Sequence, residues 1–190
     1  LLGVAAATVA NRPGAHELLN RMLEEPKELW TDDFGLVWDQ YDEAFNEPVP
    51  VHTLGTLIHT IEAYMAAAEA TTEPEWLDRA EKMTAFAYKI ASKNGWRIPE
   101  YFDVNDEGDP VPGEDEHQQW VVCEGVCATV AVRRAMLDDG ARVSDVEHFE
   151  HCYRSFVDYI HDYLITQPGR WVRRLGPRNE NVQPAKSSRW

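Results

Sequence analysis

The chain holds 190 residues, 44% of them hydrophobic and 27% charged, with 11 Gly and 11 Pro. That is enough for one sizeable core or two small ones, and it excludes collagen, coiled coil and wholesale disorder. Eighteen Lys and Arg against 33 Asp and Glu give a formal net charge of −15. Such a surface repels phosphate backbones and anionic lipid, so neither nucleic acid nor a membrane is an expected partner.

Leu1–Ala10 is apolar, but it is about half the length of a bilayer span. No Lys or Arg precedes it, as a signal peptide would require, and it reads as the tail of a buried helix. The start at Leu1 and the polar stretch before Trp190 read as a fragment or an incompletely recorded chain. Asn11-Arg12-Pro13-Gly14 breaks the first segment, and Glu17–Leu29 resumes at near-helical spacing. After a turn at Thr31–Gly35, Leu36–Phe45 is expected to be extended. Val51–Thr71 reads as a strong helix, with Leu54, Leu57, Ile58, Ile61, Met65 and Ala68 on its apolar stripe. Thr72-Glu73-Pro74-Glu75 starts the next helix, which runs to Lys93.

Asn94-Gly95 stops that helix, and Trp96–Val104 reads as a short strand. Asn105–Glu116, acidic and rich in Gly and Pro, reads as a solvated loop. It lacks the regular alternation of a calcium loop. Gln118–Leu137 is nearly uncharged and is expected to be buried on most sides. Ser144–Thr166 is an amphipathic helix with Ser144 as N-cap and Glu147 three residues on. Pro168-Gly169 ends it, and Trp171–Leu175 is extended.

One arrangement recurs. A buried helix is followed by an amphipathic one, then by a Gly turn (Gly35, Gly95, Gly169) and a short extended tail. About two and a half such units are present. Stacked helix pairs build either an open solenoid or a closed α/α toroid, and the apolar inner helices favour the toroid.

The order of five segments resembles the N-acylglucosamine 2-epimerase superfamily. Leu57-Ile58-His59-Thr60-Ile61-Glu62-Ala63-Tyr64 precedes Pro74-Glu75-Trp76-Leu77-Asp78-Arg79-Ala80. Trp96–Asp103 resembles the aldose–ketose isomerase branch, that of mannose and sulfoquinovose isomerases. Trp120-Val121-Val122-Cys123-Glu124 resembles the family's later Trp-x-x-x-Glu helix. Gly169–Val182 is similar to its late hairpin.

The resemblance implies an all-α fold, an (α/α)6 barrel of which residues 1–190 represent about half. Short β-hairpins would lie between helix pairs, in a single partial domain with the acidic loop 105–117 marking a place where sequence is missing. It also implies cofactor-free chemistry on a free sugar: a proton moves at the carbon next to the carbonyl after ring opening. An imidazole near neutral pH suits that work as base and then acid. By the match, His59 is the pocket histidine and catalytic candidate. Glu62, Trp120 and Glu124 are the substrate-binding candidates. Gly55 stands where the family usually has Asn. The family's two principal proton-transfer histidines, one in a Gly-His-x-x-Glu-Trp helix and one in a Tyr-His segment, have no counterpart in these 190 residues.

Each assignment has a plainer alternative. His59 is alternatively a hydrogen-bonded core residue, Glu62 and Glu124 partners of an interhelical ion pair, and Trp120 simple core. Cys123 and Cys127, with Cys152, His148 and His151, match no usual zinc spacing, and no metal is expected. Three cysteines make no disulfide framework, so a reducing cytoplasm is expected. A sugar isomerase or epimerase is the first functional reading, with a free sugar as partner and a homo-oligomer left open. The alternatives are a glycoside hydrolase or lyase using Glu62 and Glu124, or a non-catalytic carbohydrate-binding relative.

Overall fold

A computed structural model describes residues 1–24, 31–113 and 116–182. Among them six α-helices fall into three consecutive pairs. They are α1 (Leu2–Val9) with α2 (Ala15–Glu24), α3 (Leu54–Thr71) with α4 (Pro74–Lys93), and α5 (Gln119–Asp138) with α6 (Glu147–Tyr159). The first members sit side by side, α1 against α3 and α3 against α5, and each second member packs on its own partner. This is the alternation of inner and outer helices expected from the repeating turns. The last part of the predicted Glu17–Leu29 helix, residues 25–29, lies outside the described residues.

Leu54, Ile58, Ile61 and Tyr64 of α3 meet Ala80 and Ile90 of α4, Val122 and Val132 of α5, and Phe149 and Phe156 of α6 in one cluster. Each fully buried aliphatic or aromatic side chain there contributes roughly 1.5–3 kcal/mol. Gly125 lets this cluster close, because a Cβ at that position would stand 3.2 Å from Ile98 Cδ1. The buried Thr84 and Thr129 hydroxyls donate to the carbonyls of Ala80 and Gly125, one turn back, and so carry no unmet polar cost.

Short strands fill the connections. β1 (Gln40–Tyr41) pairs with β2 (Pro48–Val49), and β3 (His52–Thr53) with β4 (Tyr101–Val104), which also pairs with β5 (Pro110–Pro112). β6 (His117–Gln118) pairs antiparallel with β9 (Arg174–Leu175), and β7 (Ile165–Gln167) with β8 (Arg170–Trp171). The three Gly turns hold φ of +80° at Gly35, +63° at Gly95 and +77° at Gly169, a region open to Gly at little cost.

Several expectations change. Leu36–Phe45 contains only the two-residue β1, because Asp32 folds the preceding segment by accepting the Phe34 and Leu36 N–H groups. The acidic stretch is in part a hairpin arm, since β5 pairs with β4 across an Asn105–Asp109 turn. Residues 114 and 115 lie outside the described residues. Helix α1 forms, but only Ala5 is buried, with Leu2 48% and Val9 53% exposed. Helix α5 buries one face and exposes Trp120 and Val130.

Ser144 caps nothing. It sits in a 3-10 turn, Val143–Asp145, whose Asp145 is gripped by Arg142, and α6 begins at Glu147. That helix closes through a π turn at Ile160–Leu164 rather than running on to Thr166.

Candidate active site

Helix α3 starts on Thr53, whose hydroxyl accepts the Thr56 N–H as N-cap. Asp39, from the preceding connection, fastens this turn. Its carboxylate accepts the Thr53 hydroxyl at 2.6 Å, the Thr56 hydroxyl at 2.5 Å and the Thr53 N–H at 2.8 Å. The Leu54 N–H donates to the Glu100 carbonyl at 3.1 Å, which ties β4 to the same helix start. From the other side, the β6–β9 pair and a Gln119 N–H to Arg173 carbonyl bond of 3.0 Å fix the start of α5.

These two anchored starts flank an open recess of about 240 Å³, lined by Thr53, Gly55, Thr56, His59, Glu100, Gln118, Trp120 and Val121. His59 is no core histidine: its side chain is 54% exposed. Its Nδ1 lies 2.8 Å from Glu62 Oε2, so the carboxylate fixes the Nδ1–H tautomer and leaves Nε2 free for chemistry. The imidazole stacks on Trp120 at 5.6 Å between centroids and 15° between planes. The Trp120 indole N–H donates to Gln118 Oε1 at 3.0 Å, and the Gln118 amide donates to Glu100 Oε2 at 3.3 Å. Glu62, Trp120 and His59 are thus brought together.

Glu124 is not on the recess. It is half-buried one turn beyond Trp120, beside Cys123, whose thiol is pushed up first by burial and then by Cys127 and Glu124. Glu100, Gln118, Thr53, Thr56 and Asp39 are the members that sequence reasoning missed. Glu100 lies inside the Trp96–Asp103 segment that carries the family resemblance, and a carboxylate one residue before β4 was the available signal.

Two further histidines are structural. His52 stacks between Trp38 at 4.5 Å and Phe102 at 5.4 Å, with Nε2 3.3 Å from Asp32 and Nδ1 3.1 Å from the Val37 carbonyl. Burial pulls its pKa down, but the Asp32 and Val37 hydrogen bonds outweigh this and raise it. Burial likewise raises Asp32, yet the His52 bond and two backbone N–H groups leave it lowered. His117 is 1% exposed and is pushed down to about 4, by burial first and by the Arg97 charge second. Its Nε2 lies 2.6 Å from the Tyr159 hydroxyl, which donates to Asn179 at 2.7 Å.

Among the described residues no group of three His, Cys, Asp or Glu side chains is placed to hold a metal ion. Cys123, Cys127 and Cys152 are free thiols. No helix among these residues is long and apolar enough to cross a membrane.

The arrangement sets an oriented imidazole beside an aromatic plate and a carboxylate-amide wall, groups able to hydrogen-bond and stack on a small polar ligand. The family model for N-acylglucosamine 2-epimerase (GlcNAc 2-epimerase) matches residues 1–111, more than half of the chain, and the chain belongs to this family. A D-mannose isomerase of Thermobifida fusca is 35% identical over 104 residues, covering 54% of this chain and 26% of the relative. A second, of Pseudomonas cannabina pv. alisalensis, is 27% identical over 103 residues, 53% of this chain and 25% of the relative. The matched stretch therefore spans about a quarter of these relatives.

A solved sugar epimerase from a ruminal bacterium superposes with a TM-score of 0.68 at 16% identity, over 92% of this chain and 43% of that one. A solved D-mannose isomerase gives 0.53 at 14%, over 95% and 63%. These likenesses show the fold: the expected all-α architecture of paired helices, in which the described residues supply three pairs of an α/α toroid.

Proposed function

We propose that the recess binds a free monosaccharide and serves an aldose–ketose isomerase or 2-epimerase, with mannose–fructose interconversion as the first candidate reaction. One observation carries this reading: His59, oriented by Glu62 and stacked on Trp120, lines a recess walled by hydroxyl, amide and carboxylate groups. The relatives named D-mannose isomerase support the choice of sugar. Residues 1–190 act in this reading as one partial α/α-toroid domain.

Thr53, Thr56, Gln118 and Glu100 suit the hydroxyls of a sugar ring, and the exposed part of Trp120 suits its C–H face. His59 would assist ring opening as an imidazolium whose Nε2–H protonates the ring oxygen as the C1–O5 bond breaks. The neutral imidazole left behind takes the anomeric hydroxyl proton on Nε2, so the carbonyl forms and the imidazolium is restored. Glu62 holds the ring through Nδ1, which keeps Nε2 as the nitrogen that exchanges the proton. Glu124 would hold a hydroxyl only for a sugar that reaches one turn past Trp120.

The test is NMR of mannose, fructose, lyxose, glucose and N-acetylmannosamine in D2O with the protein. Deuterium at C2, or aldose turning into ketose, supports proton transfer. No exchange on any sugar from a folded sample refutes it, and sugar binding without exchange leaves a binding protein.

A further inference from the structure

Gly55 lies in the first turn of α3, and its backbone does not need a glycine: its φ is not in the left-handed region. In a helix, alanine is the preferred residue by roughly 1 kcal/mol. Space is the constraint. A Cβ on Gly55 would stand 2.9 Å from Trp120 Cη2 and 3.5 Å from Cζ2, while the third-nearest atom, Thr53 Oγ1, is at an ordinary 3.9 Å. The outer ring of Trp120 thus occupies the place of the missing side chain. That ring belongs to the same indole that stacks on His59 and is tied through Gln118 to Glu100.

We infer that Gly55 is a specificity-determining position: the absent Cβ seats Trp120 across the recess, against His59, and sizes the site for a single sugar ring. At about 240 Å³ the recess falls below the roughly 300–1,000 Å³ of pockets that take drug-sized ligands, which suits one ring rather than two. Gly55 acts through Trp120 and touches no reacting atom, so it is a positioning residue. Trp120 is 40% exposed and has room to swing outward, so a Cβ at 55 moves the indole and leaves the helix intact. The inference rests on reading the recess as a sugar site.

The experiment compares the parent chain, Gly55→Ala, Trp120→Phe and the double variant. Phenylalanine lacks the Cη2 and Cζ2 atoms that a Cβ would strike. Two readouts are taken: the Trp120 indole N–H resonance, assigned by its loss in Trp120→Phe, and D-mannose affinity. Gly55→Ala is expected to move the resonance and weaken mannose binding by roughly three- to tenfold. In the Trp120→Phe background the same substitution is expected to change affinity by less than about twofold.

An unmoved resonance overturns the inference, and so does an equal loss in both backgrounds. Failure of the parent chain to bind mannose overturns the sugar role of position 55 together with the reading of the recess. That case is recognised by an indole resonance that still responds to Gly55→Ala.

Discussion

Acid should unfold this protein in part through one residue, His117. The imidazole is 1% exposed and is held neutral between the Tyr159 hydroxyl and the Arg97 charge, with its pKa pushed from an ordinary 6.5 to about 4. A group whose pKa is depressed by folding contributes its stability above the unfolded value and loses it as pH falls toward the folded one. The gap corresponds to about 3 kcal/mol when both states are protonated, and about 2 kcal/mol of it is already lost at pH 5.

His52 works the other way. Its raised pKa gives a contribution fully present below about 6.5 and lost only as pH rises through the folded value. Asp32, with a lowered pKa, holds its contribution above about 3.8. The interval from pH 6.5 to 5 therefore reports chiefly on His117. Urea unfolding across that interval is the assay, with His117→Gln as the comparison that cannot titrate. The parent chain should lose about 2 kcal/mol and the variant much less. Equal losses in both chains would refute the reasoning.

His59→Gln should lower deuterium exchange into the sugar by at least about 100-fold, with urea stability held within about 0.5 kcal/mol because the side chain is half exposed. Asp39→Ala removes the acceptor of three hydrogen bonds at the start of α3 and should cost about 2–3 kcal/mol in urea unfolding, with weaker sugar binding alongside. Phe156→Ala empties a fully buried position of the inner cluster and should cost about 3–5 kcal/mol by the same measurement.

The helix pairs were legible because apolar spacing and Gly turns are local signals. Residues 54, 57, 58 and 61 declare one face, and Gly35, Gly95 and Gly169 each close a unit in a left-handed turn. The recess was legible only in fragments. His59 and Glu62 sit one turn apart on one helix, but that Trp120 reaches them follows from packing between α3 and α5, which periodicity does not encode. Glu100 and Gln118 escaped because Glu100 stands just before the four-residue β4 and Gln118 ends the two-residue β6, and strands that short leave almost no alternation to read.

Glu124 is a candidate through its match to the family's Trp-x-x-x-Glu helix, and it stands one turn past Trp120, outside the residues that line the recess. Ser144 had the spacing of a helix cap, but Arg142 takes Asp145 first and turns the chain once more before α6 begins.

The pairing of β6 with β9 has a consequence for biosynthesis. Gln118 and Arg174 are register partners, so the wall that holds Trp120 waits for residues made more than fifty positions later. Chains emerge from the ribosome N-terminus first at about 5–20 residues per second. His59 and Glu62 can meet on their helix early, while the indole gains its amide tether only after Leu175 is available. Ligand capture by a growing chain would thus mark the moment at which synthesis passes that residue, and chains halted before Arg173 would carry the histidine without its aromatic plate in place.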